Sequence, residues 1–258
     1  MKTIMQYKNI NIEDIKNIAL EAGKLTMKVY NKDFQVDYKD DKSPLTEADI
    51  KSNELICKSL NKLYPNIPIM SEENKQVDYE IRKNWDCYFC VDPIDGTKEF
   101  IKKNGEFTVN IALIHNNTPI MGVVYAPALG DLYWADGKSS YKNGEKLPLK
   151  TNNNPKEKLF VVASKSHLSS ETQDFINNLD SKEIEQVSKG SSLKLCMVAV
   201  GEADIYPRLA PTMEWDTAAA DAVVRCAGKM TYVFDKNGSR KSVVYNKNNL
   251  LNPWFVVK

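Results

Sequence analysis

The stretch Tyr88-Phe89-Cys90-Val91-Asp92-Pro93-Ile94-Asp95-Gly96-Thr97 asks for a strand that ends and a helix that begins, with almost no chain between them. Pro93 has a fixed φ and no N–H, so the strand is expected to stop there. Gly96 and Thr97 are expected to open the helix, where unpaired N–H groups favour phosphate. Asp92 and Asp95 then sit in a loop at the strand end, close enough to share divalent cations. Mg²⁺ takes oxygen ligands, usually one or two carboxylates together with substrate phosphate. The carbonyl of Ile94, freed from any ladder, offers a further oxygen. Asp, Pro and Gly are also ordinary turn residues, so the segment alone fits either a turn or a metal–phosphate site.

More carboxylates occur at similar junctions. Ser71-Glu72-Glu73 follows the apolar run Ile67-Pro68-Ile69-Met70, and Trp215-Asp216-Thr217-Ala218-Ala219-Ala220-Asp221 sets an acid at the start of a small-residue helix. Thr46-Glu47-Ala48-Asp49 adds another acid at a helix start, in capping-box register. Taken singly, Asp49 reads as a capping residue and Thr97 as a helix N-cap.

The chain has 258 residues, enough for one large domain or two halves. Its formal net charge of +1 leaves no single-sign field for nucleic acid or a membrane surface. Residues 1–11 lack an apolar signal region, and no apolar run reaches the length of a membrane span. A cytoplasmic protein with reduced thiols is expected, with peripheral membrane association left open. Of the five cysteines, Cys87 and Cys90 are three apart in a strand, so they face opposite sides and make a poor zinc pair.

Apolar periodicity predicts helices over 11–30 and 47–63. Short strands are expected at 67–70, 88–91, 107–114, 120–125 and 132–135, with an Asn143-Gly144 turn after them. Thr151-Asn152-Asn153-Asn154-Pro155 is turn-like and marks a boundary between two halves. Beyond it, strands at 159–163, 183–187, 205–206, 230–234 and 254–257 alternate with helices at 169–179, 193–200 and 217–227.

In this order, the blocks DPIDGT and WDTAAAD resemble the Mg²⁺-dependent, lithium-sensitive phosphatase superfamily that includes inositol monophosphatase. DKSPLTEAD, KEFIKKNGEFTVNIALI, SKSH, GSSLKLC and YPR make the chain most similar to the 3′(2′),5′-bisphosphate nucleotidases of the bacterial CysQ group. The resemblance implies an α+β fold with layered αβαβα architecture, the sugar-phosphatase (inositol monophosphatase-like) fold. It implies one domain over 1–258, with an N-terminal lobe of about 1–150 and a C-terminal lobe of about 155–258.

It also implies two or three Mg²⁺ ions, one between Glu72, Asp92 and the Ile94 carbonyl and a second held by Asp92, Asp95 and Asp216. Two metals roughly 3.5–4 Å apart stabilise both oxygens of an in-line displacement. Water is the implied nucleophile, oriented by Thr97 with Asp49 behind it, so that Asp49, Thr97 and Glu72 form the catalytic set. Substrate contacts are implied at Gly96, Thr97, His167, Gly190, Lys194 and Arg208, whereas His115 reads as a surface residue.

A second phosphate needs cations away from the metals, and Lys194 with His167 and Arg208 would supply them. The implied reaction removes the 3′-phosphate of adenosine 3′,5′-bisphosphate, with 3′-phosphoadenylyl sulfate as a related substrate, which places the chain in sulfur metabolism. The alternatives are an inositol or sugar-phosphate phosphatase and an inactive nucleotide-sensing protein. The implied partner is a small phosphorylated nucleotide, with no nucleic acid, no integral membrane segment, and a monomer or homodimer.

Overall fold

Periodic apolar side chains make two long amphipathic helices, α1 (Ile12–Tyr30) and α2 (Glu47–Leu63), which pack on each other and on one face of a sheet. The computed structural model describes residues 9–38, 44–164, 169–235 and 240–258. Asn11 caps α1 by accepting from the Glu13 N–H, and Thr46 and Asp49 close a capping box on α2. Between the helices runs a short antiparallel hairpin, β1 (Val36–Tyr38) and β2 (Pro44–Thr46), which the sequence pattern does not signal.

The main sheet follows: β3 (Ile69–Ser71), then, after the one-turn helix α3 (Tyr79–Arg82), β4 (Cys87–Asp95). The short helix α4 (Thr97–Ile101) leads into β5 (Thr108–His115), β6 (Thr118–Ala126), β7 (Asp131–Ala135), β8 (Ser140–Lys142) and β9 (Glu145–Lys146). These seven strands lie in sequence order, β3 parallel to β4 and every later pair antiparallel. Asn143 and Gly144 both have positive φ, as the tight turn between β8 and β9 requires.

The expectation that the strand stops at Pro93 is corrected: β4 continues to Asp95. Its pairing with β5 shifts register between Asp92 and Asp95, and β3 has already ended opposite Val91. Pro93 therefore occupies a bulge, where its missing N–H breaks no ladder bond. Cys87 packs with one apolar cluster and Cys90 with another on the opposite face, as the strand period dictates.

The second half begins with β10 (Lys158–Ala163), α5 (Ser170–Asn177) and β11 (Glu183–Ser188), with β10 and β11 parallel. Then come α6 (Leu193–Val200), β12 (Tyr206–Arg208), α7 (Trp215–Cys226), β13 (Thr231–Val233) and β14 (Phe255–Val257). Although β14 is last in sequence, it is the middle strand of three, paired to β12 and β13. A Val161–Ile205 bridge joins this sheet to β10.

The layers are thus α1 and α2, the seven-stranded sheet, α6 and α7, the second sheet, and α5, the expected αβαβα order. A helix sandwiched between two sheets must be thin, which accounts for Ala218, Ala219, Ala220 and Ala222 in α7, all buried. Gly122 of β6 meets it so closely that a Cβ there would lie 2.2 Å from the Ala219 carbonyl oxygen.

Candidate active site

Three elements distant in sequence deliver carboxylates to one cavity of roughly 280 Å³. The end of β4 supplies Asp92 and Asp95, the start of α7 supplies Asp216, and the residue after β3 supplies Glu72. One oxygen from each of Asp92, Asp95 and Asp216 lies within 4.8 Å of the others, the one such group of metal-binding side chains found among the described residues. Glu72 stands outside that trio but lines the same cavity, and its charge acts on all three. Glu73 is not among the lining residues.

Burial, then the charges of Glu72, Asp95 and Asp216, pushes the Asp92 carboxyl well above the usual carboxylate range. Asp95 is pushed up to about 6, burial outweighing the opposing pull of Lys194 and the Ser192 N–H. Asp216 is pushed up to about 8, by burial and then by Asp95. Such a group cannot ionise together without added positive charge, which a bound divalent ion provides. The donor set is all oxygen, the chemistry of a hard cation. On these grounds the residues fit a divalent metal.

The backbone turn is built from the same side chains. Ile94 N–H donates to Asp92 Oδ1 at 3.0 Å, which folds the bulge back on itself. Gly96, at φ 88°, is the N-cap of α4 and Thr97 its first helical residue, so the two open the helix and Thr97 is not itself the cap. The Thr97 hydroxyl lies 3.4 Å from both Asp49 Oδ1 and the Ile94 carbonyl oxygen. The other oxygen of Asp49 accepts from Thr46 N–H at 2.8 Å and from Thr46 Oγ1 at 2.5 Å. Asp49 thus caps α2 with one oxygen and faces Thr97 with the other.

Positive charge lines the same cavity. Lys194, on the first turn of α6, is buried, and its Nζ donates to the carbonyls of Ser191 at 2.6 Å and Lys189 at 3.4 Å. Burial lowers its pKa to about 8 against the raising effect of Asp95. Arg208, from β12, donates through Nη2 to the Pro211 carbonyl at 2.8 Å, and its buried Nε has no hydrogen-bond partner among the described residues. Gly96, Gly190 and Ile94 line the cavity with them. His167 lies outside the described residues.

Sequence reasoning missed the clamp on Asp95. The Ser192 N–H donates to Asp95 Oδ2, and Asn110 Nδ2 approaches the same oxygen at 3.4 Å. Ser192 Oγ also donates to Asn110 Oδ1 at 3.0 Å and lies 2.9 Å from Thr108 Oγ1. The loop can come this close because residue 190 is glycine: a Cβ there would lie 2.7 Å from the Glu106 carbonyl oxygen. The available signal was Asn110, an amide in the middle of an otherwise apolar strand.

Asp216 is held differently. Its Oδ2 accepts from the Met213 N–H at 2.8 Å. Two residues before it, the buried Glu214 accepts from the N–H groups of Asn246 at 2.7 Å and Lys247 at 2.9 Å, and from Lys247 Nζ at 2.6 Å. Asn252 Nδ2 donates to the Met213 carbonyl at 2.7 Å. Residues 246–252 therefore brace the start of α7.

Known proteins share this architecture. The chain is 42% identical to the 3′(2′),5′-bisphosphate nucleotidase CysQ of Salmonella typhimurium over 249 residues, covering 95% of this chain and 98% of the relative. The protein of that name from Escherichia coli strain K12 is also 42% identical, with the same coverage. Among solved structures, CysQ from Bacteroides thetaiotaomicron, described as a bacterial member of the inositol monophosphatase family, superposes with a TM-score of 0.84 at 42% identity, covering 97% of this chain and 98% of its own. An inositol monophosphatase from Thermotoga maritima, 24% identical with a TM-score of 0.77 and covering 96% and 91% of the two chains, shares the fold. The sequence profile of the Inositol monophosphatase family matches residues 7–254, and the chain belongs to that family.

Proposed function

We propose that this protein is a metal-dependent 3′(2′),5′-bisphosphate nucleotidase that releases the 3′-phosphate of adenosine 3′,5′-bisphosphate, with 3′-phosphoadenylyl sulfate as a related substrate. The observation that carries this reading is a single cavity lined both by the carboxylates of Glu72, Asp92, Asp95 and Asp216 and by the cations Lys194 and Arg208. The 42%-identical relatives named for that activity support it.

Glu72, Asp92 and the Ile94 carbonyl would hold one Mg²⁺, and Asp92, Asp95 and Asp216 a second. When bound, such ions neutralise phosphate oxygens and lower the pKa of coordinated water. The chain's own groups do the rest. Thr97 Oγ1 donates its hydrogen bond toward Asp49 Oδ1, so its lone pairs accept from and orient the attacking water. As the new P–O bond forms and the bond to the 3′ oxygen breaks, the water's proton passes through Thr97 to Asp49 and a solvent proton neutralises the leaving 3′ oxygen. No cysteine or serine is needed as a covalent nucleophile.

Lys194 and Arg208 meet the phosphate that is not cleaved, a contact worth about 1.5–3 kcal/mol per charged hydrogen bond. An inositol monophosphate has no second phosphate for them. We further read 1–258 as one domain whose halves meet near 150–155, since the largest apolar cluster draws Tyr88 and Val124 together with Val198 and Phe255. No described helix is long and apolar enough to cross a membrane, and we take the cytoplasm as its compartment.

The test is phosphate release in Mg²⁺ from adenosine 3′,5′-bisphosphate and inositol 1-phosphate in parallel. Strong preference for the nucleotide is expected. Preference for the inositol ester would keep the family and overturn the substrate.

A further inference from the structure

Three residues on α2 share one face, at positions i, i+3 and i+4: Asp49, Ser52 and Asn53. All three are buried. Each reaches a different part of the proposed metal site. Asp49 faces Thr97, as described. Ser52 Oγ donates to the Pro93 carbonyl at 3.1 Å. That carbonyl lies within the bulge of β4, where the ladder to β5 is interrupted and the backbone between Asp92 and Asp95 needs another partner.

Asn53 acts on the third part. Its Oδ1 accepts from Ser71 Oγ at 2.7 Å and from Cys57 Sγ at 3.4 Å, and its Nδ2 donates to Asn74 Oδ1 at 2.9 Å. Ser71 and Asn74 flank Glu72. Ser71 is the last residue of β3 and Glu72 opens the turn that follows, so holding Ser71 against α2 fixes where the chain carries Glu72 into the cavity it lines. The Glu72 N–H donates to the Val91 carbonyl at 3.1 Å, and Gln76 Nε2 donates to the Ser71 carbonyl at 2.7 Å, which ties the loop back to β4 and to its own start.

We infer that Ser52 and Asn53 are positioning residues that make one face of α2 the common gauge for Thr97, the β4 bulge and Glu72. This rests on the metal reading above. It also predicts which half of the site responds. α2 hydrogen-bonds to the Pro93 carbonyl and to the Glu72 loop, whereas Asp216 is braced from residues 246–252. Loss of Asn53 should therefore weaken the ion that Glu72 would hold and spare the one shared by Asp95 and Asp216.

The test is Mn²⁺ titration of metal-stripped full-length protein, with free ion counted by electron paramagnetic resonance, alongside thermal melts. Wild type is expected to bind at least two ions. Asn53→Ala and Ser71→Ala are each expected to weaken one ion about tenfold, within the range for groups behind metal ligands, and to leave another unchanged. The double variant should lose no more than the worse single, since both act through one contact. In turnover, the Mg²⁺ concentration for half-activation rises while KM at saturating Mg²⁺ stays within about twofold.

Lower melting temperatures with wild-type Mn²⁺ binding would reduce Asn53 to a packing residue and overturn the inference. Equal weakening of every ion overturns it too. If wild type itself binds no Mn²⁺, the metal reading fails first, a distinguishable result. Should Asn53→Ala not fold, Asn74→Ala removes one partner from the same network and is read by the same criteria.

Discussion

The carboxylates and the cations that line the cavity are built on opposite electrostatic terms. The acidic side crowds Asp92, Asp95 and Asp216 until burial and mutual repulsion raise their pKa values, so it is incomplete without added cations. On the basic side, Lys194 Nζ is already met by two backbone carbonyls, whereas the buried Nε of Arg208 has no partner among the described residues. The difference teaches where generality and selectivity lie. On the proposed reading, carboxylates that take up metal would serve any phosphomonoester, whereas Lys194 and Arg208 would select an ester carrying a second anionic group.

The sharpest way to break this contrast is to damage the acidic side. Asp95→Asn keeps the side-chain shape, and turnover on every phosphomonoester is expected to fall by more than about 100-fold, the upper end for groups merely behind a ligand. Circular dichroism should show the protein folded, and wild-type turnover would remove Asp95 from the metal set. Thr97→Ala comes next. It leaves the carboxylates in place and should lower kcat by about 10²–10³-fold, within the range for a lost proton-transfer group, with metal binding by calorimetry unchanged.

The basic side should respond differently. Lys194→Met keeps the aliphatic stem, and kcat/KM for adenosine 3′,5′-bisphosphate is expected to drop about 10- to 100-fold, the equivalent of one charged hydrogen bond. Residual turnover of a monophosphate should scarcely move. Equal losses on both substrates would erase the division of labour between the two sides. The smallest expected effect spares chemistry: Gly122→Ala pushes a methyl against the Ala219 carbonyl, and denaturant unfolding should show a loss of about 1–3 kcal/mol.

Much of this molecule was legible because its signals are local. The apolar repeat of α1, the capping box at Thr46 and Asp49, and the small-residue run of α7 each announce an element within a few residues. The acidic blocks were legible for the same reason, as each sits at a junction between elements. Contacts that span the chain were not. The Ser192 N–H reaches Asp95 across 97 residues, and nothing in either segment names the other. Arg82 and Asn246, 164 residues apart, exchange hydrogen bonds in the same silence.

Pro93 misled for a different reason. Its effect on a strand depends on whether a neighbour needs the missing N–H, and here β3 ends at Ser71, opposite Val91. The short hairpin of β1 and β2 left no pattern long enough to read.

The position of β14 has a consequence for the order in which the protein becomes functional. β14, at residues 255–257, lies between β12 and β13, and Asn246, Lys247 and Asn252 brace the helix that presents Asp216. Pairing between distant segments must wait until both exist. The seven strands of the main sheet all precede residue 147, whereas the Ser192 clamp on Asp95 and the brace behind Asp216 need later segments. Chains that stop short of residue 246 are expected to lack the brace at the start of α7, and metal titration of such truncations against the full chain would check it.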